Sequence, residues 1–151
     1  MKLKTAHNLA IIFVISMIEF SVSVAAQAQE PKKVPRVGVL VTGSHSTIGH
    51  NAFRQALREL GYIEPQNIAI EYRSAEGKNA RQPELARELV NMNVDVLVSG
   101  GGNDVTRALM QATKTIPIVM TAGSNAVARG LISSLASPGG NVTGLTSLWM
   151  I

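Results

Sequence analysis

Residues 94–112 read VDVLVSGGGNDVTRALMQA. Within this stretch the spacing of apolar residues changes once, and the change decides the fold. Residues 94–98 are a short β-branched run, the pattern of a buried strand. Gly100, Gly101 and Gly102 break it. Val105, Ala108, Leu109 and Ala112 then recur along one face of a helix. Asp104 sits where a negative charge favours the start of that helix. A strand, a glycine turn and a helix make half of a βαβ unit.

The same alternation runs outward in both directions. Upstream, RVGVLVT at 36–42 reads as a buried strand, followed by a loop at 43–46. Ile48, Ala52, Phe53, Ala56, Leu57 and Leu60 form one helical face, and Gly61 ends it. IAIEYR at 68–73 is a second strand, with Ile70 and Tyr72 facing one side and Glu71 and Arg73 the other. Pro83 falls early in the next helix, where its missing N–H does no harm. Leu85, Ala86, Leu89 and Val90 form the apolar face of that helix. Downstream, IPIVM at 116–120 is a fourth strand and residues 126–135 a fourth helical stretch. Pro138, Gly139 and Gly140 make a turn, and a fifth strand starts at 142–145. This spacing predicts an α/β fold with a parallel sheet. Right-handed crossovers place its helices on both faces.

Ligands of such sheets bind beyond the carboxyl ends of the strands, at a topological switch point. Three small, polar loops follow strands at that edge. They supply the candidate ligand-binding residues: Gly43 and Ser44, then Gly101, Gly102 and Asn103, then Ala122, Gly123 and Ser124. Glycines there let a ligand approach backbone N–H groups. Tight strand-to-helix turns are the alternative reading of the same glycines.

A length of 151 residues suggests one domain, and 46% of them are apolar. Aromatics are only 4%, so small aliphatic side chains must build the core, as suits helices on a parallel sheet. Lys2 and Lys4, the apolar run LAIIFVISMI at 9–18, and Ala26-Gln27-Ala28 occur in the order of a secretory signal peptide over residues 1–28. Ten apolar residues make a helix of about 15 Å, against roughly 30 Å of hydrocarbon, so a cleaved leader suits the run better than a permanent anchor. Cleavage after Ala28 leaves residues 29–151 as the mature domain. The net charge of +4 falls to +3 without the leader, and its bearers are scattered except for Lys32, Lys33 and Arg36. A nucleic-acid partner would need a patch or stripe. The chain has no cysteine, which excludes disulfides, a thiol nucleophile and a cysteine-linked lipid. An exported protein that is not a lipoprotein stays with the cell only behind an outer membrane, so the expected compartment is the periplasm.

Catalytic signatures are missing. No phosphate loop, dinucleotide fingerprint or G-x-S-x-G elbow occurs. His45 and His50 lack a third ligand nearby, so no metal is expected. Asp95 opens a strand and reads as its cap. No cofactor and no enzymatic activity are expected.

An ordered series of segments carries a resemblance. It comprises VGVL at 37–40, FRQALRELGY at 53–62, NIAIEYR at 67–73, AEGK at 75–78, PELA at 83–86, VDVLV at 94–98, ATKTIPIV at 112–119 and SLASPGGNVTG at 134–144. Together they resemble the ABC transporter substrate-binding family that includes the tryptophan/tyrosine-type periplasmic binding proteins, over residues 36–148. The resemblance implies a type I periplasmic-binding-protein fold, in which two α/β lobes close over a small solute and deliver it to an ABC permease. The implied solute is amino-acid-like. It also implies that this chain is the N-terminal lobe alone, with Trp149, Met150 and Ile151 outside the match. A gene remnant, half of a split binding protein and a sensing domain for a signalling receptor are alternatives. Members commonly show Asp-Pro after the fourth strand, where Ser124-Asn125 stands here. A carboxylate that could orient a ligand amine is therefore absent at that point.

Overall fold

The computed structural model describes residues 33–43 and 47–147. The expected leader and its cleavage residues Ala26 and Ala28 lie outside them, as does Ser44. In chain order come β1 (Arg36–Val41), α1 (Thr47–Glu59), β2 (Ala69–Ser74), a 3-10 turn (Asn79–Arg81), α2 (Gln82–Asn91), β3 (Val96–Ser99), α3 (Asn103–Ala112), β4 (Ile118–Met120) and β5 (Val142–Gly144). The strands form one sheet in the order β2-β1-β3-β4-β5, and every neighbouring pair is parallel.

Alternation along each strand divides the core between two faces. Leu40, Leu97, Ile118 and Val142 face one side and pack with Leu85, Ala86 and Leu89 of α2 and Val105, Ala108 and Leu109 of α3. Their strand neighbours Val39 and Val98 face the other side, with Ile70 and with Phe53 and Leu57 of α1. Helices on both faces of a doubly wound sheet are what right-handed crossovers impose. Arg73 points to the α2 side as its spacing requires, and its Nε donates to Glu88 Oε2 at 2.9 Å.

Local signals explain the element ends. After α1, Tyr62 N–H donates to the Leu57 carbonyl at 2.8 Å and Gly61 N–H to that of Arg58 at 2.9 Å, the paired bonds of a Schellman cap. Leu60 belongs to that turn and is 74% exposed, so the buried stripe of α1 is narrower than its sequence suggests. Pro83 lies in the first turn of α2. Asp95 acts as a cap, accepting the Arg36 N–H on Oδ2 at 2.8 Å and so tying the starts of β1 and β3 together. His50 stacks on Tyr72 with ring centroids 4.0 Å apart. Burial pushes the Tyr72 phenol up, with Arg54 opposing and Glu64 adding to the shift.

One expected element is absent. Residues 126–135 form a chain of turns rather than a fourth helix. Gly130 takes a positive φ of 67° in the middle of the stretch. Ala126 and Leu131 alone are buried, against Met120, while Val127 and Leu135 point outward. Two anchors five positions apart do not make the stripe that holds a helix on a sheet.

Candidate functional site

Because all strands run one way, the loops after β1, β3 and β4 emerge at one edge of the sheet. The chain runs from β1 out to β2 and returns to β3 on the other side of β1, so the switch point lies between β1 and β3. There the two loops touch. The Thr42 hydroxyl donates to the Gly101 carbonyl at 3.1 Å. A Cβ on Gly101 would stand 2.1 Å from Thr42 Oγ1 and 2.5 Å from Val105 Cγ2, so only glycine lets the loops close this far.

An open groove lies one strand further along, between the loops after β3 and β4. Its volume is about 410 Å³. Gly101, Gly102, Asn103, Ala122, Gly123 and Ser124 line it, so the fold brings six of the eight sequence candidates together. Gly43 is not among its lining residues, and its carbonyl accepts the Ser74 hydroxyl at 2.5 Å. Asp104 and Arg129 complete the wall. Asp104 had only a helix-start role in the sequence reading. Arg129 was missed because it sits in the stretch read as a helix. The groove thus carries main-chain N–H groups of the first turn of α3, the Ser124 hydroxyl, one carboxylate and one guanidinium. Among the described residues, no histidine or cysteine lines it. Among the described residues no cluster of three or more potential ligands could hold a metal ion.

The wall after β4 is held from both sides. Asn103 turns its amide onto Ser124: Nδ2 donates to the Ser124 carbonyl at 2.9 Å, and Oδ1 accepts the Ser124 N–H at 3.1 Å. On the far side Ser124 makes a parallel bridge with Ser147. There Ser147 N–H donates to the Gly123 carbonyl at 2.8 Å, and Asn125 N–H donates to the Ser147 carbonyl at 3.0 Å. Asn103 therefore braces the groove. Replacing it with alanine removes these two hydrogen bonds and a longer one from Nδ2 to Ser124 Oγ at 3.4 Å, and an intramolecular bond contributes about 0.5–1.5 kcal/mol net. Asn103→Ala is expected to lower stability by about 1–2 kcal/mol in urea unfolding. A loss below about 0.5 kcal/mol would show that the brace contributes nothing.

A family model described as ABC transporter substrate binding protein matches residues 36–151 of this chain. The chain belongs to the ABC transporter substrate-binding protein family. The match runs to Ile151, so Trp149, Met150 and Ile151 lie inside it and not beyond its end as the sequence reading had it. This substrate-binding family member is 32% identical over 117 residues to a tyrosine-binding protein of Clostridioides difficile strain R20291, covering 76% of this chain and 34% of that protein. Its fold is similar to the crystal structure of a conserved domain protein from Vibrio cholerae O1 biovar El Tor, with TM-score 0.68 and 39% identity over 77% of this chain and 40% of that one. It is also similar to a domain from Streptococcus pneumoniae solved in complex with L-Trp, with TM-score 0.67 and 29% identity over 74% of this chain and 38% of that one. The chain thus spans about a third to two fifths of the length of these relatives.

Proposed function

We propose that residues 29–151 supply one lobe of a solute-binding protein that captures an amino-acid-like solute and hands it to an ABC permease. The groove at the carboxyl edge of the sheet carries this reading. It presents main-chain donors, a hydroxyl and both signs of charge, in Asp104 and Arg129, and these complement a zwitterion. The tyrosine-binding relative and the neighbour complexed with L-Trp support the same solute class. Export through the leader at 1–28 would place capture in the periplasm, and among the described residues no helix is long and apolar enough to cross a membrane.

A single lobe covers one side of a ligand, whereas small-molecule pockets enclose about 70–90% of the ligand's surface. Affinity therefore depends on a second lobe closing over the groove. Titration calorimetry of the purified monomeric chain with L-tryptophan and L-tyrosine is expected to give dissociation constants weaker than about 1 mM. A fusion to the second lobe of the Vibrio cholerae relative is expected to bind an amino acid at micromolar concentration. Failure of that fusion to bind any of the standard amino acids would overturn the solute class. A micromolar constant for the monomer alone would overturn the need for a second lobe.

A further inference from the structure

The groove wall after β3 rests on two buried hydroxyls that cannot touch a solute. Ser99, the last residue of β3, and Thr106, in the first turn of α3, are both 0% exposed. Their oxygens lie 2.7 Å apart. Thr106 Oγ1 is also 3.1 Å from the Gly102 carbonyl oxygen. A carbonyl only accepts, so the single Thr106 hydroxyl proton goes to Gly102, and Ser99 must donate to Thr106. The result is a directed chain from Ser99 through Thr106 to Gly102.

That chain ends at the Gly102 carbonyl, which accepts both the Thr106 hydroxyl at 3.1 Å and the Thr106 main-chain N–H at 3.2 Å. Gly102 has φ 78° and ψ −161° and, as the N-cap of α3, offers no side chain of its own to cap the helix. A Cβ there would meet nothing within 4 Å, so the Cα of Gly102 faces open space on that side. The neighbouring Gly100 is held by its own N–H bond to the Leu40 carbonyl at 2.8 Å. From the same strand end, the Ser99 carbonyl accepts Thr121 N–H at 3.1 Å and the Thr121 hydroxyl at 3.0 Å. Ser99 thus connects the loops on both sides of the groove.

We propose that Thr106, with Ser99 behind it, is a positioning residue for the solute groove, setting the direction of the Gly101–Asn103 main chain. As a role in solute capture this rests on the function proposed above; as a statement about the loop it can be tested without any solute. Two hydroxyls satisfying each other in a core can be replaced by apolar groups of the same shape at little net cost. The pair can therefore be removed while most of the packing is kept.

The experiment measures backbone 15N order parameters of the ligand-free 151-residue chain. In the unaltered chain Gly101, Gly102 and Asn103 are expected near the rigid value of about 0.85. In Thr106→Val they are expected to fall toward about 0.6, with β1, β3 and β4 unchanged. Thr106→Ser, which keeps the hydroxyl, is expected to restore them. The double variant Ser99→Ala/Thr106→Val provides a second test, since it leaves no orphan hydroxyl and is expected to keep the melting temperature while the loop stays loose. Unchanged loop order in either valine variant, or a loss shared equally by the strands, would overturn the proposal. Titrating the two-lobe fusion carrying the same substitutions with L-tryptophan gives the functional arm: solute affinity is expected to fall at least tenfold in Thr106→Val and to recover in Thr106→Ser. A fusion with native Thr106 that binds no amino acid would sink the solute reading and leave the loop result standing. A fusion that binds equally well with and without the hydroxyl would sink the positioning role.

Discussion

Replacing Gly144 with alanine is expected to cost about 3 kcal/mol or more and to detach β5 from the sheet. Gly144 ends β5 at φ +128°, a region that side-chain-bearing residues occupy only at about 1–3 kcal/mol of strain. A Cβ there would lie 2.1 Å from the Met120 carbonyl oxygen, 2.6 Å from its nitrogen and 2.8 Å from its carbonyl carbon. These are main-chain atoms of the paired strand and cannot swing aside. Overpacking of this kind adds about 1–3 kcal/mol. The bond from Leu145 N–H to the Met120 carbonyl, 2.7 Å, would open, and with it the Ser147 contacts that hold the groove wall. Against a total stability of about 5–15 kcal/mol, such a loss should be plain in urea unfolding. Amide exchange should accelerate first in β4 and β5. A variant within about 1 kcal/mol of the native chain would show that the β4–β5 pairing relaxes around the methyl group.

Leu97→Ala is expected to cost about 2–5 kcal/mol. Leu97 is fully buried in β3, between β1 and β4. It packs in the cluster shared with α2 and α3, and its Cδ2 would stand 2.9 Å from a Cβ placed on Gly38. That close approach to a glycine leaves little side chain nearby to collapse into the space vacated, so the upper half of the range is expected. The check is the shift in urea midpoint at constant slope. A loss under about 1 kcal/mol would mean that the α2–sheet interface repacks freely.

The sheet and three of its helices were legible because their signals are local. β-branched runs at 36–42, 94–98 and 116–120 each carry a strand, and the spacing of Leu85, Ala86 and Leu89 shows a helix with one apolar face. The stretch at 126–135 misled because its aliphatic residues imitate a helical stripe, while Gly130 and the Ser133–Ser134 pair carried the opposing signal. The place of the candidate site was also legible, since glycine loops after parallel strands must share an edge. The roles within it were not. Asn103 braces Ser124 across 21 positions, and the Thr42 hydroxyl reaches Gly101 across 59. Such partners become neighbours only when the strand order is known. Thr106 carries no signal in the sequence, because only its burial places its hydroxyl under Gly102.

The strand order also governs how fast the protein can form. No two paired strands are joined by a hairpin; every pairing spans a helix or the long run of turns before β5. The interior strand β1 comes first in the chain yet needs both β2 and β3 before its edges are occupied. Loop-closure entropy is therefore spent before any ladder bond returns it. Topologies of this kind acquire their structure far more slowly than helical bundles of the same size. Until then the aliphatic segments of β1, β3 and β4 stay uncovered, and refolding yield should decline as protein concentration rises.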